Sequence, residues 1–277
     1  MIGPYSLDTI HCGECSAMLA ALPDDCIDLT VTSPPYDNLR EYQGYTFDFE
    51  PIAHQLYRVT KPGGVVVWVV GDATIDGSET GTSFRQALGF MAAGFNLHDT
   101  MIYEVAGTGA KGSNKAYWQG FEFMFVVSKG EPKTVNRIAD IKNKTIGLLR
   151  GGRWRNGGNN EKPHLTNEVG TRTNIWRYQV GFADNSDQTD HPAPFPEALA
   201  RDHIISWSNP GDVILDPFMG SGTVGKMCKE TGRHWLGFDI SEEYCQLARR
   251  RVDLARVPLF IEPPAPIVQP EQAVMSL

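Results

Sequence analysis

Two short strings, far apart in the chain, combine residue types that suit chemistry on a bound ligand. The first is Thr32-Ser33-Pro34-Pro35-Tyr36, and the second is Asp216-Pro217-Phe218-Met219-Gly220-Ser221-Gly222-Thr223. A hydroxyl followed by two prolines offers hydrogen-bond acceptors on a rigid loop, because proline fixes φ and has no N–H. A glycine-rich turn lets the backbone approach a ligand closely. We therefore expect one string to hold a substrate and the other a cofactor.

Each string follows a short apolar run that is typical of a buried strand. Cys26–Val31 precedes the first string and Asp212–Leu215 precedes the second. Further strands are predicted at Leu7–His11, Val65–Val70, Asp99–Val105, Phe121–Val127 and His234–Phe238. Helices are predicted at Cys15–Leu22, Phe49–Thr60, Ser83–Ala93, Pro196–Trp207, Thr223–Thr231 and Glu242–Val252, with Lys61-Pro62-Gly63-Gly64 as the stop of the second. This alternation predicts an open α/β sheet, which places ligands at the carboxyl ends of its strands.

The second string begins a G-x-G-x-x-G pattern, Gly220 to Gly225, between a predicted strand and a predicted helix. Asp239 follows seventeen positions after Gly222, at the end of the next strand, where a carboxylate can accept hydrogen bonds from ribose hydroxyls. The pattern alone suits a dinucleotide, S-adenosylmethionine or a turn without a ligand. The same residues also fit G-x-x-x-x-G-K, but Met227 stands where a phosphate loop needs serine or threonine, which argues against nucleotide hydrolysis.

The two strings, in this order, resemble those of permuted, beta-class-like DNA amino-methyltransferases, in which the catalytic string precedes the glycine-rich one. The resemblance extends from about Leu7 to Val252, with a gap in the middle. It implies transfer of a methyl group from S-adenosylmethionine to the exocyclic amine of cytosine or adenine in DNA. It also implies an α/β fold with a mostly parallel, Rossmann-like sheet that carries helices on both faces and is circularly permuted.

The resemblance assigns cofactor-binding roles to residues around the second string. Phe218 is expected to pack against the methionine part or the adenine, and Asp239 to bind the ribose. Glu14 stands at an expected adenine contact where the family more often carries aspartate. The segment from His191 to Pro196 resembles the one that lines the methionine end. The complete predicted set is Glu14, Phe195, Pro196, Asp216, Phe218, Gly220, Ser221, Gly222, Thr223 and Asp239.

By the same resemblance, Ser33, Pro34, Pro35 and Tyr36 form the predicted catalytic loop. An exocyclic amine is a poor nucleophile because its lone pair is delocalised into the ring. Acceptors such as the Ser33 hydroxyl and the Pro34 carbonyl can draw the nitrogen toward tetrahedral geometry, so that its lone pair points at the sulfonium methyl. Tyr36 offers a flat face for a flipped base, because a base inside the duplex cannot reach the methyl group.

The first residue of the catalytic string bears on the target base. Within the family, Ser-Pro-Pro-Tyr occurs mostly in cytosine-N4 enzymes, whereas adenine-N6 enzymes usually carry aspartate at the first position. Cytosine N4 is therefore the expected target, and adenine N6 is the alternative because serine or aspartate can accept from either amine. A dinucleotide-dependent oxidoreductase leaves the first string unexplained. An inactive DNA-binding module is the other competing class, but the intact motifs give no reason to choose it.

Charge is distributed unevenly along the chain. The net charge is -8, but Val105 to Val180 holds thirteen Lys or Arg against five Asp or Glu, which gives +8 and leaves -16 (-8 minus 8) elsewhere. A local basic surface can neutralise DNA phosphates. Two stretches there interleave cations with aromatics, which suits phosphate contact and stacking and equally a solvated loop with packed tryptophans. The predicted DNA-binding residues are Arg150, Arg153, Trp154, Arg155, Trp176 and Arg177.

The pattern of elements predicts one α/β domain interrupted by a lobe. Residues 1–127 form the catalytic half and 191–257 the cofactor-binding half. Between them, 128–190 loses the apolar period and gains glycine and asparagine, which indicates an inserted target-recognition lobe. Residues 258–277 form a proline-rich tail.

Composition and cysteine spacing indicate where the protein is located, the state of its cysteines and whether it binds a metal. A membrane span of about eighteen apolar residues and an export signal are both absent, so we expect a cytoplasmic protein. Five cysteines, an odd number, favour reduced thiols. Cys12-x-x-Cys15 beside His11 lacks further ligands at metal spacing, so no metal site is predicted. Double-stranded DNA is the expected partner, and the sequence is compatible with a homodimer and with a separate restriction endonuclease acting on the same site.

Overall fold

The computed structural model describes residues 1–35, 47–106, 117–150, 164–179 and 196–257. These residues fall into two compact units. The first comprises the described residues from 1 to 135 and from 174 to 257, and the second comprises those between 136 and 173. Both predicted strings belong to the first unit.

The described residues form fourteen strands and six helices. The strands are β1 Thr9–Cys12, β2 Ile27–Thr32, β3 Thr60–Val70, β4 Thr74–Ile75, β5 Ser78–Glu79, β6 Asn96–Ala106, β7 Phe121–Ser128, β8 Ala139–Lys142, β9 Leu149–Arg150, β10 His164–Leu165, β11 Val169–Thr171, β12 Ile175–Gln179, β13 Val213–Asp216 and β14 His234–Asp239. The helices are α1 Cys15–Ala20, α2 Phe49–Val59, α3 Thr82–Ala92, α4 Glu197–Trp207, α5 Thr223–Thr231 and α6 Glu242–Leu254.

Eight of the strands form the central sheet of the first unit, in the order β1-β14-β13-β2-β3-β7-β6-β12. Neighbouring strands pair in parallel except where β7 pairs with β3 and β6. The mostly parallel sheet confirms the predicted fold class. Three further pairs are small antiparallel sheets, β4 with β5, β8 with β11 and β9 with β10.

The middle of the sheet is buried on both faces. Every residue of the β-branched and aromatic run Val65–Val70 is buried, as a central parallel strand requires. Its one polar side-chain atom has a partner, since Trp68 Nε1 donates to Gln86 Oε1 at 2.8 Å. The helices pack in two groups, in which α2 contacts α1 and α3, and α5 contacts α4 and α6. Both groups cover the sheet and leave its carboxyl edge for the loops.

The predicted elements agree with the structure within a few residues, and two segments differ. Lys61-Pro62-Gly63-Gly64 ends helix α2 but lies within strand β3, where a register irregularity in the pairing with β2 accommodates it. The stretch Asn174–Tyr178 was predicted to be part of the lobe. Its residues from Ile175 onward instead form strand β12 at the edge of the central sheet.

In the described ranges, no helix has the length and the apolar character needed to cross a membrane. The five cysteines all lie in these ranges and are free thiols.

Candidate active site

The two predicted strings meet at one edge of the sheet. Strand β2 leads into Ser33 and strand β13 leads into the glycine-rich loop, and the two strands are parallel neighbours with Thr30 opposite Leu215. Their loops are also joined directly, because the Thr32 hydroxyl donates to Asp216 Oδ1 at 2.6 Å. Residues almost two hundred positions apart in sequence therefore lie next to each other at this edge of the sheet.

Asp216 holds the two loops together from inside the protein. Its side chain is buried, and its Oδ1 also accepts from the Phe218 amide at 3.1 Å. Burial raises the pKa of this carboxyl to about 7, and the hydrogen bonds from Thr32 and Phe218 only partly offset that effect. The role of Asp216 as a cofactor contact stays a prediction, and its carboxyl group connects β2 to the glycine-rich loop.

The catalytic loop is described for Ser33, Pro34 and Pro35, and Tyr36 lies outside the described residues. Pro34 is buried, while Ser33 and Pro35 are partly exposed. A carbonyl on a buried proline is held in place by a fixed φ and by packing. The loop therefore places its oxygen atoms in a partly desolvated position, where hydrogen bonds are stronger than in water.

The glycine-rich loop is fixed to the neighbouring strand by its backbone. The Gly220 amide donates to Asp239 Oδ2 at 2.8 Å, and the Met219 amide donates to the Phe238 carbonyl at 2.8 Å. Gly222 adopts a left-handed φ of 85° just before α5, and a Cβ there would lie 2.8 Å from Ala248 Cβ. Glycine is required for both reasons.

The amino end of helix α5 faces the loop without a side-chain cap among the described residues. The first amides of a helix have no partners within the helix, and the aligned peptide dipoles make this end positive. It is therefore suited to the polar and anionic groups of a ligand.

Ser221 and Thr223 point away from solvent and toward Arg251, which the sequence analysis missed. Both side chains are buried, and Arg251 Nη1 donates to the Ser221 carbonyl and hydroxyl, each at 2.8 Å. Arg251 Nη2 donates to Glu197 Oε1 at 2.9 Å, so helices α4 and α6 support the loop together. These two predicted side chains therefore anchor the loop, and their contact with the cofactor stays a prediction.

Phe218 lies in an aromatic group at the edge of the core. Its ring is 5.6 Å from that of Phe47 and 6.1 Å from that of Trp68, edge to face in both cases. Phe47 is a second residue that the sequence analysis missed, because it follows no motif. Of the predicted contacts at the methionine end, Pro196 is partly exposed just before α4, and Phe195 lies outside the described residues.

Two predicted carboxylates have backbone partners. Glu14 precedes α1, and its two oxygens accept from the Ser16 and Ala17 amides at 2.8 Å each, which caps the helix. Asp239 accepts from the Gly220 amide and, through Oδ1, from the Ser241 amide at 2.9 Å. The structure therefore brings Asp239 to the glycine loop, whereas the visible contacts of Glu14 are local.

The predicted DNA contacts are only partly described. The prediction for Trp176 was wrong, because its side chain is 7% exposed and its ring lies 4.7 Å from that of His203. Such a ring cannot stack on a base. Arg177, the next residue, is exposed beside Glu104. Arg150 is in strand β9, and Arg153, Trp154 and Arg155 lie outside the described residues.

Comparison with known sequences gives a family profile and a relative that each match most of the chain. The sequence profile of the N6_N4_Mtase family, described as DNA methylase, matches residues 27–250. The orphan methyltransferase M.BamHII of Bacillus amyloliquefaciens is 53% identical over 247 residues, which cover 82% of this chain and 89% of that protein.

Comparison with solved structures gives the same fold. The PvuII DNA methyltransferase, described as cytosine-N4-specific, superposes with a TM-score of 0.65 at 19% identity, over 87% of this chain and 85% of its own. A DNA modification methylase of Thermus thermophilus, solved with S-adenosyl-L-methionine, gives a TM-score of 0.61 at 24% identity, over 91% and 97%. This likeness confirms the predicted methyltransferase-like sheet. The circular permutation and the inserted lobe stay predictions.

Proposed function

This chain belongs to the N6_N4 family of DNA methylases, and we propose that it methylates the N4 amine of cytosine at a specific DNA site. Family membership confirms the predicted enzyme class, an S-adenosylmethionine-dependent DNA methyltransferase acting on cytosine N4 or adenine N6. The observation that carries the choice of cytosine is the serine at the first position of the catalytic loop, next to the glycine-rich loop.

The placement of Ser33 supports a role in activating the amine. Thr32, its neighbour, is clamped to Asp216, so the position of Ser33 relative to the glycine-rich loop is fixed before any ligand binds. A hydroxyl can accept a hydrogen bond from the cytosine amine without adding a negative charge to the cleft. The Pro34 carbonyl is the second acceptor, and together they would direct the nitrogen lone pair at the methyl group.

The protein groups on the cofactor side suit S-adenosylmethionine. When bound, the cofactor supplies an electrophilic methyl group on a sulfonium. We propose that Phe218 packs against it, that the loop backbone from Gly220 to Gly222 lies along it, and that Asp239 contacts the ribose. Asp239 already accepts from the Gly220 amide, so it would set the loop and the ribose relative to each other.

We further propose that the second unit contributes to DNA recognition. Within it, Arg137, Lys142 and Lys144 carry positive charge at the surface, and Arg172 is paired with Asp140 at 2.5 Å. Surface cations of this kind suit phosphate contacts, which position a protein on DNA without reading its sequence. Arg150, Arg153, Trp154 and Arg155 belong to the same proposal. The cytoplasmic location, the homodimer and the separate endonuclease stay predictions.

The target base is tested by incubating DNA of varied sequence with labelled S-adenosylmethionine and identifying the methylated nucleoside by mass. We expect N4-methylcytosine, and Ser33→Ala should lower kcat by about 100-fold, the loss typical of removing one group that stabilises a transition state. Ser78→Ala, on the exposed strand β5 of the same unit, should leave the rate unchanged. N6-methyladenine as the product, or full activity of Ser33→Ala, would overturn the proposal.

A further inference from the structure

Three side chains with metal-binding atoms meet at the β1 edge of the central sheet, three strand positions from the strand that leads into the catalytic loop. They are Cys12 at the end of β1, and Glu242 and Cys245 in the first turn of α6. Their two sulfurs and a carboxylate oxygen all lie within 4.8 Å of one another. The sequence offered Cys12 with Cys15 as a pair, but the structure pairs Cys12 with a cysteine 233 positions later and leaves Cys15 buried elsewhere.

From this cluster we propose that the protein binds one divalent, thiophilic metal ion such as Zn²⁺ through Cys12, Cys245 and Glu242. Zinc–sulfur bonds of about 2.3 Å place two sulfurs about 3.8 Å apart on a tetrahedral ion, so small side-chain rotations would complete the site. Cys12 and Glu242 are exposed, which leaves room for water as the fourth ligand.

Metal binding would break only weak hydrogen bonds of the two thiols. Cys12 Sγ donates to the Ile240 carbonyl at 3.5 Å and Cys245 Sγ to the Asp239 carbonyl at 3.6 Å. These are weak hydrogen bonds, since a thiol is a poor donor. Binding forms two metal–sulfur bonds and one metal–oxygen bond, and the two thiol protons pass to water.

The surroundings also orient the carboxylate of Glu242. Glu242 Oε1 accepts from Arg249 at 3.1 Å and from Gln246 at 3.4 Å, as outer partners of a metal ligand commonly do. Two thiolates and one carboxylate around a divalent ion leave a net charge of -1. A small negative charge is stabilised at the amino end of α6, where Cys245 lies.

The site would be structural. Between β1 and the catalytic loop lie β14 and β13, and three strand spacings of about 4.8 Å separate Cys12 from Ser33 by roughly 14 Å. An ion at Cys12 therefore cannot touch the reacting amine. It would fasten α6 to the ends of β1 and β14, beside Asp239, whose carbonyl accepts from Gly13 at 2.9 Å.

The experiment uses the reduced full-length chain, with Co²⁺ as a spectroscopic probe and Zn²⁺ as its competitor. We expect one Co²⁺ per chain with the near-ultraviolet absorption of a thiolate–cobalt bond, and its loss when Zn²⁺ is added. Cys12→Ser should abolish the absorption, and Glu242→Gln should weaken binding by roughly tenfold or more. Cys26→Ser, which removes a partly exposed thiol outside the cluster, should change neither the absorption nor the affinity for the metal.

Cys12 is exposed, so Cys12→Ser should fold even where a substitution of the buried Cys245 does not. Three results would overturn the proposal. The first is no thiolate–cobalt absorption in the intact chain, and the second is unchanged absorption in Cys12→Ser. The third is loss of two free thiols without added metal, which would indicate a disulfide. None of these results depends on the target base.

Discussion

Replacing Asp216 by asparagine should remove part of the pH dependence of the free energy of unfolding. The pKa of this buried carboxyl is raised from its ordinary value of 3.8 to about 7. The folded protein therefore holds a proton that the unfolded chain releases between those two pH values. Stability from this group is fully present below pH 4, falls as pH rises toward 7, and is constant above that.

The size of the effect follows from the displacement of the pKa. Each pKa unit corresponds to about 1.36 kcal/mol, so ionising Asp216 in the fold costs roughly 4 kcal/mol at high pH. Between pH 5 and pH 8 the cost grows by roughly 2.5 kcal/mol. Asparagine keeps an oxygen that can accept hydrogen bonds from Thr32 and Phe218, and it carries no charge. The unfolding free energy of the variant should therefore not fall through this group between pH 5 and pH 8.

The assay is urea denaturation of the wild type and Asp216→Asn at pH 5 and at pH 8, with the difference in unfolding free energy taken at each pH. Relative to the wild type, the variant should gain roughly 2.5 kcal/mol at the higher pH. Asp253→Asn, which removes an exposed carboxylate on α6, should follow the wild type at both values. An equal change in unfolding free energy between pH 5 and pH 8 for Asp216→Asn and the wild type would refute the reasoning.

Two further substitutions test the glycine loop and the second unit. Gly222→Ala should cost about 2–4 kcal/mol, because it adds left-handed strain and overlap with α6, whereas Gly77→Ala, with a similar φ of 83° but open space, should cost only about 1–2 kcal/mol. Equal costs in urea denaturation would contradict the proposed contact. Charge reversal at Arg153 and Arg155 should reduce the slope of log duplex affinity against log salt by about 2, measured by anisotropy, with Arg250→Glu as the control. An unchanged slope would remove these residues from the DNA interface.

Much of the fold could be predicted because local signals agreed with the global arrangement. The apolar runs before Ser33 and Asp216 were buried strands, and parallel strands place their loops at a common edge. Helix α5 was predicted with its observed bounds, since Gly222 and Gly232 mark its two ends in left-handed conformations. The two motifs therefore predicted that Ser33 and the glycine-rich loop lie at the same edge of the sheet, which the pairing of β2 with β13 shows.

What could not be predicted involves pairs distant in sequence. Nothing near Arg251 shows that its guanidinium reaches Ser221, because that contact depends on how α6 packs against α5. The proximity of Cys12 and Cys245 is likewise not visible in the sequence, because it depends on how α6 packs against β1.

Trp176 was misassigned for a related reason. Asn-Ile-Trp-Arg-Tyr reads equally well as a basic aromatic loop and as an edge strand with alternating faces. The pairing of β12 with β6 turns Trp176 inward against His203 and leaves Arg177 outside. Alternation along a strand separates such neighbours onto opposite faces, so a strand cannot present both side chains to one DNA surface. An interleaved stretch therefore brings adjacent cations and aromatics to one nucleic-acid surface only where its backbone does not alternate as a strand does.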